Sequence, residues 1–459
     1  MAPDPKRNDI AARKTALGIL NTLERCHDLL DTVVENFAGE MAAFSSENRR
    51  LTHAIVFGVL RWRRRLDWMI SQKARLPLDR ISPDIRNILR IALFQMLFMD
   101  RIPDFAAVDT AVEIAKGWVS VKSSRFVNAL LRNTLRSLPF DLHKSLPDDP
   151  MAALGISQSF PDRLIHRWVD RFGMDETRRL CEAMNQIPPV TIRTNTLRTS
   201  REALREMLDE ICEKIYATAY VPEGLSFYGL SKPIDQLTAF QKGLFQVQDE
   251  AAQAVAHCLS PRPNEMILDA CAGMGGKTGH IAQLMGNAGK VFAIDKDKDK
   301  LRRLSEEMGR LGITSVNICQ MDLAKPIWQT IPEAFDRVLL DAPCSGLGVI
   351  RRNPDIKWAA EKRNLDRFAG RQLSLLDAVS QRVAPAGVLV YAVCTMEPEE
   401  TDGVVEKFLS SHPQFDVMES KSGLAGDLRH MIDDRGAFRS FPHIHHMEGF
   451  FAVRLRRRS

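Results

Sequence analysis

Residues 266–278, MILDACAGMGGKT, decide how this chain is read. An apolar run from Met266 to Cys271 passes into a turn holding Gly273, Gly275 and Gly276, and a helically spaced segment follows. That pattern predicts a strand, a turn in which the backbone can come close to a ligand, and a helix. Downstream the alternation repeats. Strand candidates at Val291–Asp295, Val316–Met321, Arg337–Leu340 and Val388–Cys394 are separated by segments such as Leu301–Leu311 and Leu365–Val383, long enough to be crossover helices. Alternating strands and helices of this kind give a mostly parallel, doubly wound α/β sheet over residues 241–459, with Gly449–Arg456 as a terminal strand.

Acids punctuate the same strands. Asp295 stands nineteen residues after Gly276, where a carboxylate can accept both hydroxyls of a ribose. The third strand is expected to end at Asp322 and the fourth at Asp341, so that with Asp269 four carboxylates line one sheet edge. Open α/β sheets bind ligands along that edge. A glycine-rich turn with one acid suits NAD, FAD or S-adenosylmethionine alike. GMGGK is not GxGxxG, and Gly276-Lys277-Thr278 lacks the spacing of a phosphate-binding P-loop.

Eight cysteines are scattered without a CxxC pair, a pattern that argues against structural disulfides and predicts no metal. Cys26, Cys181, Cys212, Cys258 and Cys319 read as small buried apolar residues. Cys344, in DAPCSGLG, stands just past the fourth strand and Cys394, in YAVCT, at the end of the fifth, both beside the predicted cleft. Two thiols there suit covalent chemistry on a pyrimidine, whose C5 is too weak a nucleophile to take a methyl group directly. A thiolate added to C6 makes C5 enamine-like, and after methylation the C5 proton and the thiolate must both leave. An acid near N3, for which Asp341 is the candidate, would support the addition.

Upstream, residues 6–138 carry apolar positions at helical spacing, with Ser82-Pro83-Asp84 as a helix start. They read as an all-α bundle, 1–140, followed by a proline- and acid-rich linker, 139–150. Residues 151–240 mix helices (161–172, 175–185, 201–212) with strand-like pieces from Val190–Asn195 onward and read as a small α+β module. Net charge is +5, but residues 1–140 hold 22 Lys+Arg against 15 Asp+Glu, so the excess of seven sits in the helical part and the remainder sums to −2. A basic module on a near-neutral body suits a polyanion-binding enzyme. The longest apolar stretch, near Ile91–Met99, is too short to cross a bilayer, and Met1–Ile10 lacks the apolar core of a secretory signal. A cytoplasmic, monomeric protein is expected.

With these motifs in view, the chain resembles the RNA cytosine-C5 methyltransferase family through DACAGMGGKT, RVLLDAPCSGLGVIRRNPDIKW, YAVCTMEPEE and EGFFAVRLR. The resemblance implies a Rossmann-like methyltransferase domain that binds S-adenosyl-L-methionine through Cys271, Ala272, Gly273, Met274, Gly275, Gly276, Lys277, Asp295, Asp322 and Asp341. It also implies Cys394 as nucleophile and Cys344 as the group that assists release. One departure is Gly273-Met274, where the family's turn carries Ala-Pro, and the lost proline predicts looser cofactor binding at most. GVLRWRRRLDWMI, ILRIALFQMLFMDRIPDFAAVDTAVEIAK and RFVNALLRNTLR look like a NusB-like RNA-binding domain. Together these parts resemble the bacterial 16S ribosomal RNA cytosine-C5 methyltransferases. They imply 16S rRNA as partner and Arg61, Arg63, Arg64, Arg193 and Asn195 as RNA contacts.

Overall fold

The computed structural model describes residues 5–26, 28–138, 141–323, 325, 331–359, 364–418 and 426–459. The expected linker positions Pro139 and Phe140 and the start of the chain, Met1–Asp4, lie outside them. The chain divides into two compact units: Met1–Gln186 with Ile350–Lys362, and Ile187–Val349 with Arg363–Ser459.

The first unit is helical. Its long elements are Pro5–Arg25, Ser46–Lys73, Pro83–Phe98, Asp104–Trp118 and Val121–Leu135. Ser45 starts the second by accepting the Asn48 N–H, and Pro83 occupies the first turn of the third, where no N–H is missed. The apolar stripes, among them Leu17, Ile55, Val59, Leu89, Leu93, Ile114, Val127 and Leu131, meet in one core. Arg90 crosses it. Its guanidinium grips Asp67 at 2.6 and 2.7 Å and also bonds Glu24, fastening three helices with a buried charge that would be costly unpaired.

The helices Pro150–Ser157, Asp162–Phe172 and Met174–Asn185 belong to this unit too. The boundary between the two units falls at Gln186, within the stretch read as one module over 151–240, and Phe160 and Trp168 pack edge to face on the helical side of it. Ile350–Lys362 also belongs to the helical unit, although it follows the Cys344 turn in sequence. Lys357 is fully buried there, donating to Arg61 O, Ser159 O and Asn185 Oδ1, and the Trp358 indole donates to Leu60 O.

The second unit holds two sheets. β1 (Val190–Thr194), β2 (Lys214–Ala217), β3 (Gly224–Tyr228) and β4 (Phe245–Val247) form an antiparallel sheet in the order β2-β3-β1-β4. The large sheet is built from β5 (Met266–Ala270), β6 (Lys290–Asp295), β7 (Val316–Gln320), β8 (Phe335–Asp341), β9 (Val383–Val393), β10 (Phe415–Val417), β11 (Ala437–Arg439) and β12 (Phe451–Arg457).

Its main order is β10-β12-β9-β8-β5-β6-β7, with β11 also paired to β12. The strands β5 to β9 are mutually parallel, and β12 enters antiparallel beside β9. The expected doubly wound sheet is present, and apolar cores cover both its faces. The strand order turns back between β5 and β8, where a sheet of this type opens a crevice at its carboxyl edge.

Candidate active site

Parallel pairing puts Asp341 of β8 in register with Ala392 of β9. Cys344 lies three residues beyond the first and Cys394 two beyond the second, so residues fifty apart in sequence emerge side by side at the carboxyl edge. The neighbouring Cys394 thiol, burial and the nearby Glu400 hold Cys344 well above the usual thiol pKa. Both cysteines are half-buried rather than sealed in the core.

The loop between them is tightly built. Gly348 donates to Cys394 O at 3.0 Å and accepts the Gly449 N–H at 2.8 Å. A Cβ at Gly348 would stand 1.8 Å from Gly449 O, so backbone approach demands glycine there. Glu400 Oε1 accepts the Ser345 N–H at 2.8 Å and Gln372 Nε2 at 2.9 Å, while the same Gln372 nitrogen reaches Pro343 O at 3.1 Å. Tyr391 OH, on β9, donates to Gln372 Oε1 and Glu400 O. The residues on both sides of Cys344 are thus tied to β9, the strand that leads into Cys394. Burial raises the pKa of Glu400, and among the described residues its buried Oε2 has no hydrogen-bond partner.

Lys277 is the cation of the site. Its Nζ donates to Asp341 Oδ2 at 2.5 Å and lies 5.2 Å from the centre of the Phe450 ring. Burial works against its charge, yet Asp341, Cys394 and Asp269 together keep its pKa above the ordinary lysine value. The sequence reading placed Lys277 with the cofactor turn, whereas its side chain joins the thiols and Asp341. Glu400, Gln372 and Phe450 were not anticipated. The MEPEE and EGFF stretches had been quoted as motifs, but only the folded chain shows which of their side chains reach the loop.

The glycine turn has three residues at positive φ: Cys271 (67°), Gly273 (58°) and Gly275 (85°). A backbone that alternates in this way turns its N–H groups toward a common concavity. Gly273 donates to Asp295 Oδ2 at 3.0 Å, and a Cβ on it would meet nothing within 4 Å, so the turn is open on that side. Asp295 ends β6 as expected. Asp322 lies two residues past the end of β7 at Gln320, a correction to the expected strand end. Asp269 is not at the edge: it is buried in β5, with Oδ2 accepting the Thr278 hydroxyl at 2.6 Å. Burial, then Asp295, Asp341 and Asp269, push the Cys271 thiol up to about 12, and these three carboxylates surround the turn with negative charge. An open turn, a carboxylate at the ribose position and a negative field fit a nucleoside-bearing cation.

The expected RNA contacts need correction. Arg193 is fully buried, donating to Gly276 O at 2.9 Å and to Gln246 Oε1, Gln248 Oε1 and Gln283 Oε1, and burial pulls its pKa down to about 9. Asn195 is buried between Gly243 O and Leu311 O. Both link the small sheet to the large one and face no solvent. Arg61 is buried against Arg351 O at 2.6 Å. Arg63 lies over Trp358 and Arg64 bonds Phe160 O and Asp162, both half-buried in the packing of the helical unit.

Among the described residues one group could ligate a metal: Glu223, His257 and His280, buried, with ligand atoms within 4.8 Å of one another. The cysteine-based reading did not foresee it. Both Nε2 atoms already contact Glu223 at 3.1 and 3.2 Å, and burial, then the neighbouring Arg193, lower His280 to about 3. The Arg193 charge that lowers His280 also opposes a divalent cation there.

Strand order, glycine turn and acidic carboxyl edge define the second unit as a Rossmann-like methyltransferase domain. The family model described as 16S rRNA methyltransferase RsmB/F matches residues 256–456, the NusB family model matches 10–136, and a ferredoxin-like domain model of the RsmF/B methyltransferases matches 160–233. The chain is 36% identical over 452 residues to a probable ribosomal RNA small subunit methyltransferase B of Synechocystis sp., covering 98% of this chain and 100% of that one. It is 35% identical to the corresponding probable enzyme of Bacillus subtilis, over 90% and 92% of the two chains. The solved structure of PH0851 covers 99% of both chains at 27% identity and TM-score 0.79. That of NSun6 from Pyrococcus horikoshii, determined with the S-adenosylmethionine analogue SFG, matches 66% of this chain and 99% of its own at 27% identity and TM-score 0.56. The chain belongs to the 16S rRNA methyltransferase RsmB/F family.

Proposed function

We propose that this protein transfers a methyl group from S-adenosyl-L-methionine to C5 of a cytosine in 16S rRNA through a transient bond between Cys394 and C6. The observation that carries the reading is the emergence of two thiols side by side beyond β8 and β9, with the Lys277–Asp341 ion pair close to Cys394. Cys271 through Gly276, with Asp295, Asp322 and the carboxylate edge, would hold the cofactor, which supplies an electrophilic methyl on a sulfonium.

The chain's own residues account for the rest. The Lys277 ammonium is close enough to favour the negative charge of the Cys394 thiolate that attacks. The thiolate adds to C6, and the displaced ring electrons move toward N3. The Lys277 ammonium, held by Asp341, can donate a hydrogen bond toward N3 as charge builds there, with no net proton transfer to the ring. C5 then takes the methyl as the methyl–sulfur bond breaks. Loss of the C5 proton to a base expels the Cys394 thiolate and restores the aromatic ring. Cys344, kept as a thiol, can serve that release by passing a proton within the site. A base inside a helix must first leave the stack to reach these thiols.

The test is labelled S-adenosylmethionine with unmethylated 16S rRNA. One labelled cytosine at C5 is expected. Cys394→Ser should abolish turnover and form no adduct, whereas Cys344→Ser should accumulate a protein–RNA adduct stable to denaturing electrophoresis. An adduct formed by Cys394→Ser would reverse the two roles. Binding without transfer would point to an RNA-binding assembly factor instead.

A further inference from the structure

The helical unit has one exposed face of a single sign. From Ile114 to Phe140 the sequence contains five cations, Lys116, Lys122, Arg125, Arg132 and Arg136, and no acid. Four of them fall on the helix Val121–Leu135 and its C-cap, Arg136. With Ala129 they occupy positions 122, 125, 129, 132 and 136, a three-and-four spacing that puts them on one stripe. The opposite face, Ser124, Val127, Leu130, Leu131 and Thr134, is buried. All five stripe residues are exposed. Among the described residues none of the four cations is in an ion pair, and Arg132 bonds only Asn128 on its own helix, at 2.8 Å.

An ordinary solvated face looks different. On the helix Lys298–Leu311 exposed Arg302 is answered by Glu306 at 2.7 Å. Four unanswered cations along about 21 Å of helix repel one another and raise a positive potential that a polyanion would relieve. At the amino end of the stripe Trp118, Val119 and Val121 are 45, 40 and 52% exposed, and an exposed indole can stack on an unpaired base.

We propose that this stripe is a docking surface for the phosphate backbone of RNA, with Trp118 at its end as a stacking platform. The inference rests on the reading above only in taking RNA as the partner. It also replaces the buried arginines that the sequence had suggested. Charge complementarity favours a polyphosphate: the surface offers cations at intervals along a line, and a nucleic-acid strand carries one charge every ~3.4 Å of duplex axis.

The test uses the full chain with Lys122→Gln, Arg125→Gln and Arg132→Gln combined, and a charge-preserving variant with Arg125→Lys and Arg132→Lys. Binding of a 16S rRNA fragment is followed by fluorescence anisotropy across a salt series, with thermal unfolding to verify the fold. Each lost phosphate contact should reduce the slope of log K against log salt by about 0.7–0.9. The neutral variant should therefore lose about two units of slope or more. Its KM for RNA should rise roughly tenfold while kcat at saturating RNA stays that of the unaltered chain. The Lys variant should keep the slope, and Trp118→Ala should weaken affinity without changing it. An unchanged slope and affinity in the neutral variant would overturn the proposal. So would normal binding to naked RNA with lost binding to the small ribosomal subunit, which would assign the stripe to a protein. If the unaltered chain binds RNA through the stripe yet transfers no methyl, the catalytic reading fails and this surface stands.

Discussion

Lys277 Nζ donates to Asp341 Oδ2 across 2.5 Å, and this pair joins the glycine turn of β5 to the end of β8 beside Cys394. Removing the ammonium leaves a half-buried carboxylate without its partner and a thiolate without its counter-charge. Lys277→Met is expected to lower kcat by about 10²–10⁴, the range for a positioned acid–base group. Lys277→Arg should recover part of the loss. Single-turnover methyl transfer checks this, and a variant within threefold of normal kcat would refute it.

Glu400 bridges Ser345 and Gln372 through one oxygen. The neighbouring Cys394 and the charge of Glu400 both hold the Cys344 proton in place. Glu400→Gln should therefore let Cys344 ionise at lower pH. The expected readout is a basic arm of the adduct-release profile displaced toward acid, with RNA–protein adduct accumulating although Cys344 is present. Cofactor affinity should not change. A release profile superimposable on the normal one would show that Glu400 only fills space.

Gly348 has backbone on two sides, so relief by side-chain movement is not available to Gly348→Ala. The Cβ, 1.8 Å from Gly449 O and 3.0 Å from Cys394 O, must push β12's entry away from the thiols. Destabilisation of about 3 kcal/mol or more is expected, at the upper end for overpacking. Methyl transfer should be lost while RNA affinity is kept. Denaturant unfolding with parallel binding measurements checks both.

Asp269 carries a pH signature. Burial, opposed in part by the Thr278 bond, raises its pKa to about 7 from 3.8. A carboxyl raised on folding contributes stability fully below pH 3.8 and loses it as pH climbs through about 7. Asp269→Asn removes that loss. Relative to the unaltered protein it should gain stability on going from pH 4 to pH 8, by an amount on the order of 4 kcal/mol. Chemical unfolding without cofactor at the two pH values tests the sign; a difference independent of pH would count against it.

Much of this was legible in the chain itself, for reasons that differ from element to element. The strand ends at Asp295 and Asp341 and the turn at Gly273–Gly276 follow from period, length and glycine placement, which are local. Cys344 and Cys394 stand out because one follows and the other ends such a strand. Arg61, Arg193 and Asn195 misled, since a basic or polar residue in a motif-like stretch reads as a surface contact until the burial of its neighbours is known. The basic stripe on Val121–Leu135 could have been found from spacing and the missing acids, but exposure of that face depends on packing.

By itself the sequence determined the alternating elements, the helical front half and the chemistry-bearing residue types, because hydrophobic period and turn chemistry act over a few neighbours. Tertiary structure alone decided that β12 inserts beside β9, that Ile350–Lys362 packs with the helices, and that Glu400 and Gln372 clamp the Cys344 loop. Those outcomes depend on pairing register and on which apolar faces meet, and residues far apart in sequence settle them only when the whole core closes.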